Sequence, residues 1–299
     1  MPTLLRCAPV LLLAACGGPT STAVTPKPFK LPDSTYIVDA ATGAPVGTPE
    51  LLRRAGAADL VLLGEVHDNA VQHELRGALL TSLGGRHPAV VFEQFPETAA
   101  PIPPPAAGED RESWLDQHGF DRKSWKWPLH QPVVDAALQW GRSVWGSGVS
   151  RESLRSVVRG GEAAAPEHLR PLIEKAPLDS AARAAIDFEL IEGHCGKLPK
   201  EMIPGMRAAQ EVRDAAMTQA LLLAGANGPA WLLAGNGHVR RDMGVPRMLR
   251  AAAPTRTVLS VGLLEVGEDG AAPDAAERRV YDLVIVTPRA AREDPCAGL

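Results

Sequence analysis

Histidine and carboxylate side chains follow three apolar stretches of the sequence, at the point where each stretch ends. Glu65 and His67 come after LVLLG, Glu93 comes after AVVF, and His238 comes after WLLAGNG. Imidazoles and carboxylates bind divalent transition metals and also act as general acids and bases. If the three stretches form neighbouring parallel strands, these four side chains meet at one edge of a sheet, where open α/β sheets bind their ligands.

The spacing G-x-x-H occurs after two of these stretches, as GEVH and as GNGH. Together with Glu93, the two motifs predict a metal site formed by His67, Glu93 and His238, with coordination positions left open. Such a metal lowers the pKa of a bound water to about 7, and a nearby carboxylate acts as the general base. This interpretation predicts a metal-dependent hydrolase with Glu65, His67, Glu93 and His238 as catalytic residues. The competing interpretation is a network in which the histidines and carboxylates only pair with one another.

Several other kinds of site are excluded by the sequence. Arg240 stands where a dinucleotide-binding fingerprint that begins GNG needs its third glycine, and the chain contains neither a P-loop nor a G-x-S-x-G motif. The pair His73-Glu74 does not start a zinc-protease motif, because position 77 is Gly. The formal net charge of -4 and the sequence pI of about 6.1 argue against nucleic acid as a partner, since such surfaces are basic.

The hydrophobic pattern predicts the elements that position the candidate side chains. Apolar strands at 60–63 and 89–93 flank a helix that starts at Asn69, where Gln72 completes the pattern of a capping box. A strand, a helix and a second strand make a βαβ unit, so the sheet is predicted to be parallel here. Further strands are predicted at 36–39, 143–145, 231–234, 257–264 and 280–286, and further helices at 133–140, 152–158, 206–223 and 239–253, the last interrupted at Gly244 and Pro246.

The predicted fold class is α/β, with a mostly parallel sheet flanked by helices. Between 166 and 226 the sequence has no strand pattern, and helical periodicity dominates. We therefore expect a small helical subdomain at about 150–205. The helix at 206–223 is the longest predicted and returns the chain to the sheet.

The N-terminal residues resemble the signal sequence of a bacterial lipoprotein. Arg6 precedes an apolar stretch that is too short to span a bilayer, and the tetrapeptide LAAC that ends at Cys16 matches a lipobox. The expected organisation is a signal peptide at 1–15, a lipidated Cys16, a flexible tether at 16–33 and a folded domain at 34–299. The expected location is the cell envelope, with a lipid anchor in the outer membrane. In the alternative, the protein is secreted and Cys16 is incidental.

Two cysteines, Cys195 and Cys296, lie in the predicted domain. They can form a disulfide in an oxidising compartment, and two unlinked thiols are the alternative that the sequence leaves open. Neither cysteine belongs to a C-x-x-C pair, so a cysteine zinc site is not predicted.

Three tryptophans, Trp114, Trp125 and Trp127, lie close together in the sequence. They form either an aromatic wall for a flat apolar ligand or a part of the core. The proline-rich stretch 101–105 precedes them and predicts a surface loop or lid.

Several of these motifs together resemble the ChaN-like haem-binding lipoproteins. They are GEVHD after a strand, VVFEQFP, the W-x-W-P stretch at 125–128, the long helix from Met206, and LAGNGHVRRDMGVPRML, and they cover about 60–249. This family belongs to the superfamily of the erythromycin esterases and the TIKI/TraB metalloproteases. The resemblance implies a mostly parallel sheet with a small helical subdomain, and a role in haem or iron handling at the cell envelope.

The resemblance also implies haem as the cofactor, with a divalent transition metal as the alternative. The haem-binding branch holds haem through a tyrosine, but Tyr36 and Tyr281 both lie outside the matched stretch. His130 is therefore the candidate replacement, because histidine is a common haem ligand. The implied cofactor-binding residues are His67, His130, Trp127 and His238. The implied partners are haem or another small molecule, a membrane through the lipid anchor, and a second copy of the chain in a ligand-induced homodimer.

Overall fold

The computed structural model of the chain describes residues 28–294 and 296–297. The predicted signal peptide, the predicted lipidation site Cys16 and most of the predicted tether lie outside the described residues. Within them the chain forms an eight-stranded sheet with helices on both faces. The α/β fold class and the mostly parallel sheet predicted from the sequence are confirmed.

Six strands of this sheet run parallel to one another, and a short antiparallel pair extends one edge. The strands are β1 (Tyr36–Asp39), β2 (Pro45–Val46), β3 (Leu60–Leu63), β4 (Ala89–Pro96), β5 (Ser143–Gly148), β6 (Ala230–Leu233), β7 (Val258–Glu265) and β8 (Leu283–Thr287). Their order across the sheet is β2-β1-β8-β7-β3-β6-β4-β5. Parallel strands end at the same edge, so the chain segments after β3, β4 and β6 meet there, as the sequence predicts.

The helices of the described residues cover both faces of the sheet. They are α1 (Thr48–Ala57), α2 (Ala70–Ser82), α3 (Arg111–Gln117), α4 (Gln131–Trp140), α5 (Arg151–Gly160), α6 (Arg170–Lys175), α7 (Ser180–Gly193), α8 (Ile203–Ala224), α9 (Asn236–Val239), α10 (Val245–Ala252) and α11 (Ala275–Arg278). Helices α1, α2 and α4 pack on one face, and α8 and α10 pack on the other. Helices α5 to α7 lie in the stretch predicted as a helical subdomain and pack against α8 and α10. None of the described helices is long and apolar enough to cross a membrane.

The central strand β3 is buried on both faces because all four of its residues are apolar. Val61 and Leu63 pack into the layer that contains α2 and α4, whereas Leu60 and Leu62 pack into the layer that contains α8. A continuous apolar run is typical of a parallel strand covered on both sides. The chain emerges from this doubly covered region only after β3, where the polar residues begin.

Two local predictions were wrong in their details. The predicted strand at 89–93 stops at Glu93, but β4 continues to Pro96, with a register shift after Phe92 in its pairing with β5. An irregularity of this kind turns a side chain away from the regular alternation of a strand. The helix predicted at 239–253, with interruptions at Gly244 and Pro246, begins only at Val245 as α10, because Gly244 is its N-cap and Pro246 is accepted in its first turn; the short helix α9 ends at Val239.

Residues Asn69 and Gln72 form only half of the predicted capping box. The Asn69 side chain accepts a hydrogen bond from the backbone N–H of Gln72 at the start of α2. The Gln72 side chain accepts instead from the backbone N–H of Val66 at 2.6 Å. Gln72 therefore fixes the loop that carries Glu65 and His67.

Cys195 and Cys296 form a disulfide, with their Cα atoms 5.7 Å apart. Arg292 strengthens the same attachment of the C-terminal segment, because it pairs with Asp68 after β3 and with Glu265 at the end of β7. The segment after β8 is thus fixed along the edge of the sheet where the parallel strands end.

Candidate functional site

His67 follows β3 with one ring nitrogen held and the other free to bind. Its Nδ1 lies 2.8 Å from Oε1 of Glu65, so the N–H at this nitrogen donates a hydrogen bond to the carboxylate. The Glu65 side chain has no exposed surface, whereas that of His67 is 47% exposed. Because Nδ1 carries the proton, Nε2 keeps its lone pair and is available to a metal ion.

Glu65 lies at the centre of a buried polar cluster. Arg76 on α2 forms an ion pair with Oε2 of Glu65, and Gln94 on β4 donates a hydrogen bond to Oε1 at 3.0 Å. Arg76 also donates to Nδ1 of His73 at 3.1 Å, and Nε2 of His73 donates to the backbone oxygen of His67 at 3.0 Å. Burial lowers the pKa of Arg76 to about 9 and also lowers the pKa of His73. At neutral pH the arginine therefore supplies the positive charge and His73 is neutral.

His130 is fully buried against this cluster. Its Nε2 lies 3.5 Å from Oε1 of Glu65, and its ring centre lies 4.1 Å from that of His73. Neither ring nitrogen of His130 has a hydrogen-bond partner of good geometry among the described residues. Burial is the largest of the causes that lower the pKa of His130 to about 2, so the ring is neutral.

Glu65, His73 and His130 are a group whose candidate metal-ligand atoms all lie within 4.8 Å of one another. Two imidazoles and one carboxylate are a common set of ligands for a transition metal. Arg76, however, already neutralises Glu65 and donates to His73. A metal ion at this point would have to displace the guanidinium group. The cluster is therefore better explained as support for His67.

A second series of polar groups connects β4 to α8 through His238. Oε2 of Glu93 accepts a hydrogen bond from the backbone N–H of Gly235 at 2.8 Å, and its Oε1 lies 3.7 Å from Nε2 of His238. Nδ1 of His238 lies 2.7 Å from Oδ1 of Asp214 on α8. A carboxylate bonded to Nδ1 fixes the orientation of an imidazole and makes it more basic. Asp214 therefore directs Nε2 of His238 toward Glu93.

Within this series the pKa of His238 is raised and the pKa of Glu93 is lowered, which favours a protonated histidine and an ionised carboxylate. Burial lowers the pKa of His238, but the carboxylates of Glu93 and Asp214 outweigh it, and the net pKa is raised. Burial raises the pKa of Glu93, but the charge of His238, with the hydrogen bond from the backbone of Gly235, opposes it, and the net pKa is lowered. The stability from protonated His238 is therefore present below its ordinary pKa of 6.5 and is lost as the pH rises through the raised value.

Replacing Asp214 with Asn is expected to lower the pKa of His238. The amide oxygen still accepts a hydrogen bond from Nδ1, so the ring stays in place, but the negative charge that favours the imidazolium is gone. The measurement is an NMR titration of the histidine ring protons in the wild type and the variant. An unchanged pKa of His238 would contradict the effect of the Asp214 charge on this ring.

The two G-x-x-H motifs fit into each other through their glycines. A side chain at Gly64 would collide with the side-chain oxygen of Asn236, and a Cβ atom at Gly235 would lie 3.0 Å from Nε2 of His67. Asn236 in turn donates a hydrogen bond to the backbone oxygen of Leu263 on β7 at 2.6 Å. Each glycine thus leaves the space that the other motif needs, and Gly235 leaves the space beside Nε2 of His67 open.

Two cavities lie beside His67, and His67, Glu93 and Arg213 line both of them. The subdomain cavity, of about 620 Å³, lies between the ends of β3, β4 and β6 and the helices α7 and α8. The loop cavity, of about 720 Å³, lies between the ends of β4 and β5, residues 121–125 and helix α5. Pockets for small molecules and cofactors typically measure about 300–1,000 Å³, so either cavity can hold a sizeable ligand.

The structure brings His67, Glu93 and His238 together in the wall of the subdomain cavity. Glu65 also borders this cavity, but its carboxylate is buried and fully engaged with Arg76, Gln94 and His67. It holds His67 in place and is not exposed to a substrate.

The other residues predicted to bind a cofactor lie elsewhere. His130 lines neither the subdomain cavity nor the loop cavity, because it is buried behind Glu65. Trp127 borders a separate recess and donates a hydrogen bond to Glu112 at 3.2 Å. Trp125 instead lines the loop cavity and stands edge-on to His67, with their ring centres 5.1 Å apart. Tyr281 is buried, with its hydroxyl 3.4 Å from the backbone oxygen of Asn236, and lines neither cavity.

Several residues of the site were missed in the sequence: His73, Arg76, Gln94, Arg213 and Asp214. A signal for some of them exists in the helical spacing. His73 and Arg76 lie on the same face of α2 as buried Leu80, and Asp214 lies on the same face of α8 as buried Met217 and Leu221. A charged side chain on an apolar helix face indicates either a buried pair or a site.

Comparison with known proteins shows the family and the fold. A family model described as "Haem-binding uptake, Tiki superfamily, ChaN" matches residues 51–249. A solved structure from Campylobacter jejuni, "Cofacial heme binding to ChaN of Campylobacter jejuni", matches with a TM-score of 0.67 and 18% identity, covering 86% of this chain and 98% of that one. A Bacillus cereus protein matches with a TM-score of 0.42 and 15% identity, covering 74% of this chain and 71% of that one. No curated protein matches the chain significantly.

Proposed function

Because the chain belongs to the ChaN family of haem-binding uptake proteins in the Tiki superfamily, we propose that it binds haem through His67. The observation that carries this proposal is the open space beside Nε2 of His67. That nitrogen has a lone pair and would be crowded by any side chain at Gly235, and His67 lines two cavities. Histidine is a common axial ligand of haem iron.

The surroundings of His67 suit an iron ligand. Glu65 accepts a hydrogen bond from the N–H at Nδ1 at 2.8 Å. A carboxylate in this position orients an imidazole and increases its basicity. Trp125 stands beside the ring and offers an aromatic surface in the loop cavity. When bound, haem would supply an iron ion, His67 would hold that iron, and the cavity walls would enclose the ring. The described walls of both cavities contain no tyrosine, and of their histidines His67 is the one that lines both cavities.

A haemin titration of the mature domain, followed by absorbance, tests the proposal. We expect a saturable Soret shift at one haem per chain. Metal analysis of the same protein before haemin is added identifies any metal ion already bound. Failure to saturate would contradict the proposal.

The cell-envelope location and the lipid anchor at Cys16 are part of the same proposal. Their support is the lipobox-like sequence LAAC and the apolar stretch before it. Labelling with a radioactive fatty acid, with Cys16→Ser as the control, tests the anchor. A ligand-induced homodimer is a further part, and sedimentation with and without haemin tests it.

A metal-dependent hydrolase is the second candidate function. It is favoured by the series Asp214–His238–Glu93 beside His67, which offers a paired imidazole, an ionised carboxylate and a second imidazole in one cavity. These groups would hold a metal ion and transfer protons to and from a bound water. A stoichiometric divalent metal that is lost in His238→Ala, together with no saturable haem binding, would favour this function over the first.

A further inference from the structure

Arg213 on α8 is a partly buried arginine without a partner. Among the arginines of the described residues it alone is partly buried and makes neither a hydrogen bond nor an ion pair with another described residue. It lies close enough to Glu93 and His238 for its charge to act on both. An unpaired guanidinium in a cavity wall is ready to bind an anion, because it presents several donors in one plane.

The position of Arg213 connects three cavities. It lines the subdomain cavity, the loop cavity and a third one, the arginine groove, which measures about 520 Å³ and lies between α5, α7 and α8. Arg155, Arg159 and His194 also line the arginine groove, and no carboxylate of the described residues lines it. The rest of its wall is largely apolar, with Leu154, Val158, Leu190, Met206 and Ala209.

We propose that Arg213, with Arg155 and Arg159, is the subsite for the carboxylates of a porphyrin whose iron is held by His67. The proposal deepens the proposed function and rests on it. Haem combines a flat apolar ring with two carboxylates, and the arginine groove combines apolar walls with the cations Arg155, Arg159 and Arg213. Arg213 places the subsite beside the iron ligand, since it shares two cavities with His67, and Arg155 and Arg159 extend the subsite into the arginine groove.

The test uses porphyrins with and without free carboxylates. Protoporphyrin IX and its dimethyl ester, which lack iron, are titrated by fluorescence into the wild type, Arg213→Gln and Arg183→Gln. Arg183 is an exposed arginine on α7 that lines none of the three cavities, so its variant is the matched control for the loss of one charge. Circular dichroism shows that each variant is folded.

We expect Arg213→Gln to weaken the binding of protoporphyrin IX by about 10- to 100-fold, which is the range for the loss of a charged hydrogen bond. The dimethyl ester should bind the wild type and Arg213→Gln equally well. Arg183→Gln should match the wild type with both compounds. Equal binding of protoporphyrin IX by wild type and Arg213→Gln, or an equal loss with the ester, would overturn the subsite.

The same proteins titrated with haemin separate this proposal from the one on which it rests. Haemin binding by the wild type with no effect of Arg213→Gln overturns the subsite and leaves the iron ligand intact. Arg213-dependent binding of protoporphyrin IX without a haemin Soret shift supports the subsite and overturns iron binding by His67. No binding of any porphyrin overturns both.

Discussion

Replacing His67 with Ala is expected to weaken haemin binding by more than about 100-fold and to remove the Soret shift. The loss of a partner that only orients a metal ligand costs about 10- to 100-fold in affinity, and the loss of the ligand itself should cost more. The substitution should leave the fold intact, because nearly half of the His67 side chain is exposed and its ring is not part of the core. The measurement is a haemin titration at constant ionic strength.

Two further variants decide whether the effect belongs to the Nε2 atom of His67. His168 also lines the loop cavity, is 51% exposed and pairs with Glu97, so His168→Ala is the matched control and should bind haemin normally. Gly235→Ala keeps the imidazole but places a methyl group about 3.0 Å from Nε2. The backbone at position 235 has φ -60°, which alanine adopts without strain, so this variant should fold and yet bind haemin poorly. Normal binding by both His67→Ala and Gly235→Ala would assign the ligand to another residue.

The fold could be predicted from the sequence because its signals are local. The apolar runs of β3, β4 and β6 and the helix between the first two identify a parallel sheet, and parallel strands fix which edge carries the site. The convergence of His67, Glu93 and His238 follows from that topology alone. The exact end of β4 does not, since it depends on how Gly148 and Pro96 approach each other across the sheet.

The roles of Glu65 and His67 could not be separated from the sequence. They lie two residues apart in a loop, and contacts with distant residues, chiefly those on α2, decide that Glu65 is buried and His67 exposed. Those contacts come from His73 and Arg76, which in a helix also have the spacing of an ordinary polar face. His130 shows the same limit, because a histidine next to three tryptophans is typical of a binding site and of a core alike, and here it is in the core.

Replacing Arg76 with Met is expected to destabilise the protein by about 3–5 kcal/mol, because it leaves the charge of Glu65 buried without its partner. Both side chains are almost completely buried, at 1% and 0% exposure, so water cannot replace the guanidinium. The measurement is the free energy of unfolding from urea denaturation. Arg53→Met is the control, since its ion pair with Glu50 is on the surface and its removal should leave the denaturation midpoint nearly unchanged.

Adding Glu65→Gln to Arg76→Met should restore most of the lost stability, because no buried charge then remains uncompensated. The haemin affinity of this double variant should nevertheless stay below that of the wild type. The amide oxygen introduced at position 65 can still accept a hydrogen bond from Nδ1 of His67. Without a negative charge beside it the imidazole is a weaker ligand, so haemin affinity should be about 10- to 100-fold lower. If the double variant is as stable as the wild type and also binds haemin as tightly, the charge of Glu65 has only a structural role. If the double variant binds haemin weakly, the ion pair serves to hold an ionised carboxylate beside His67. Arg76 then compensates the charge that this carboxylate carries in the core.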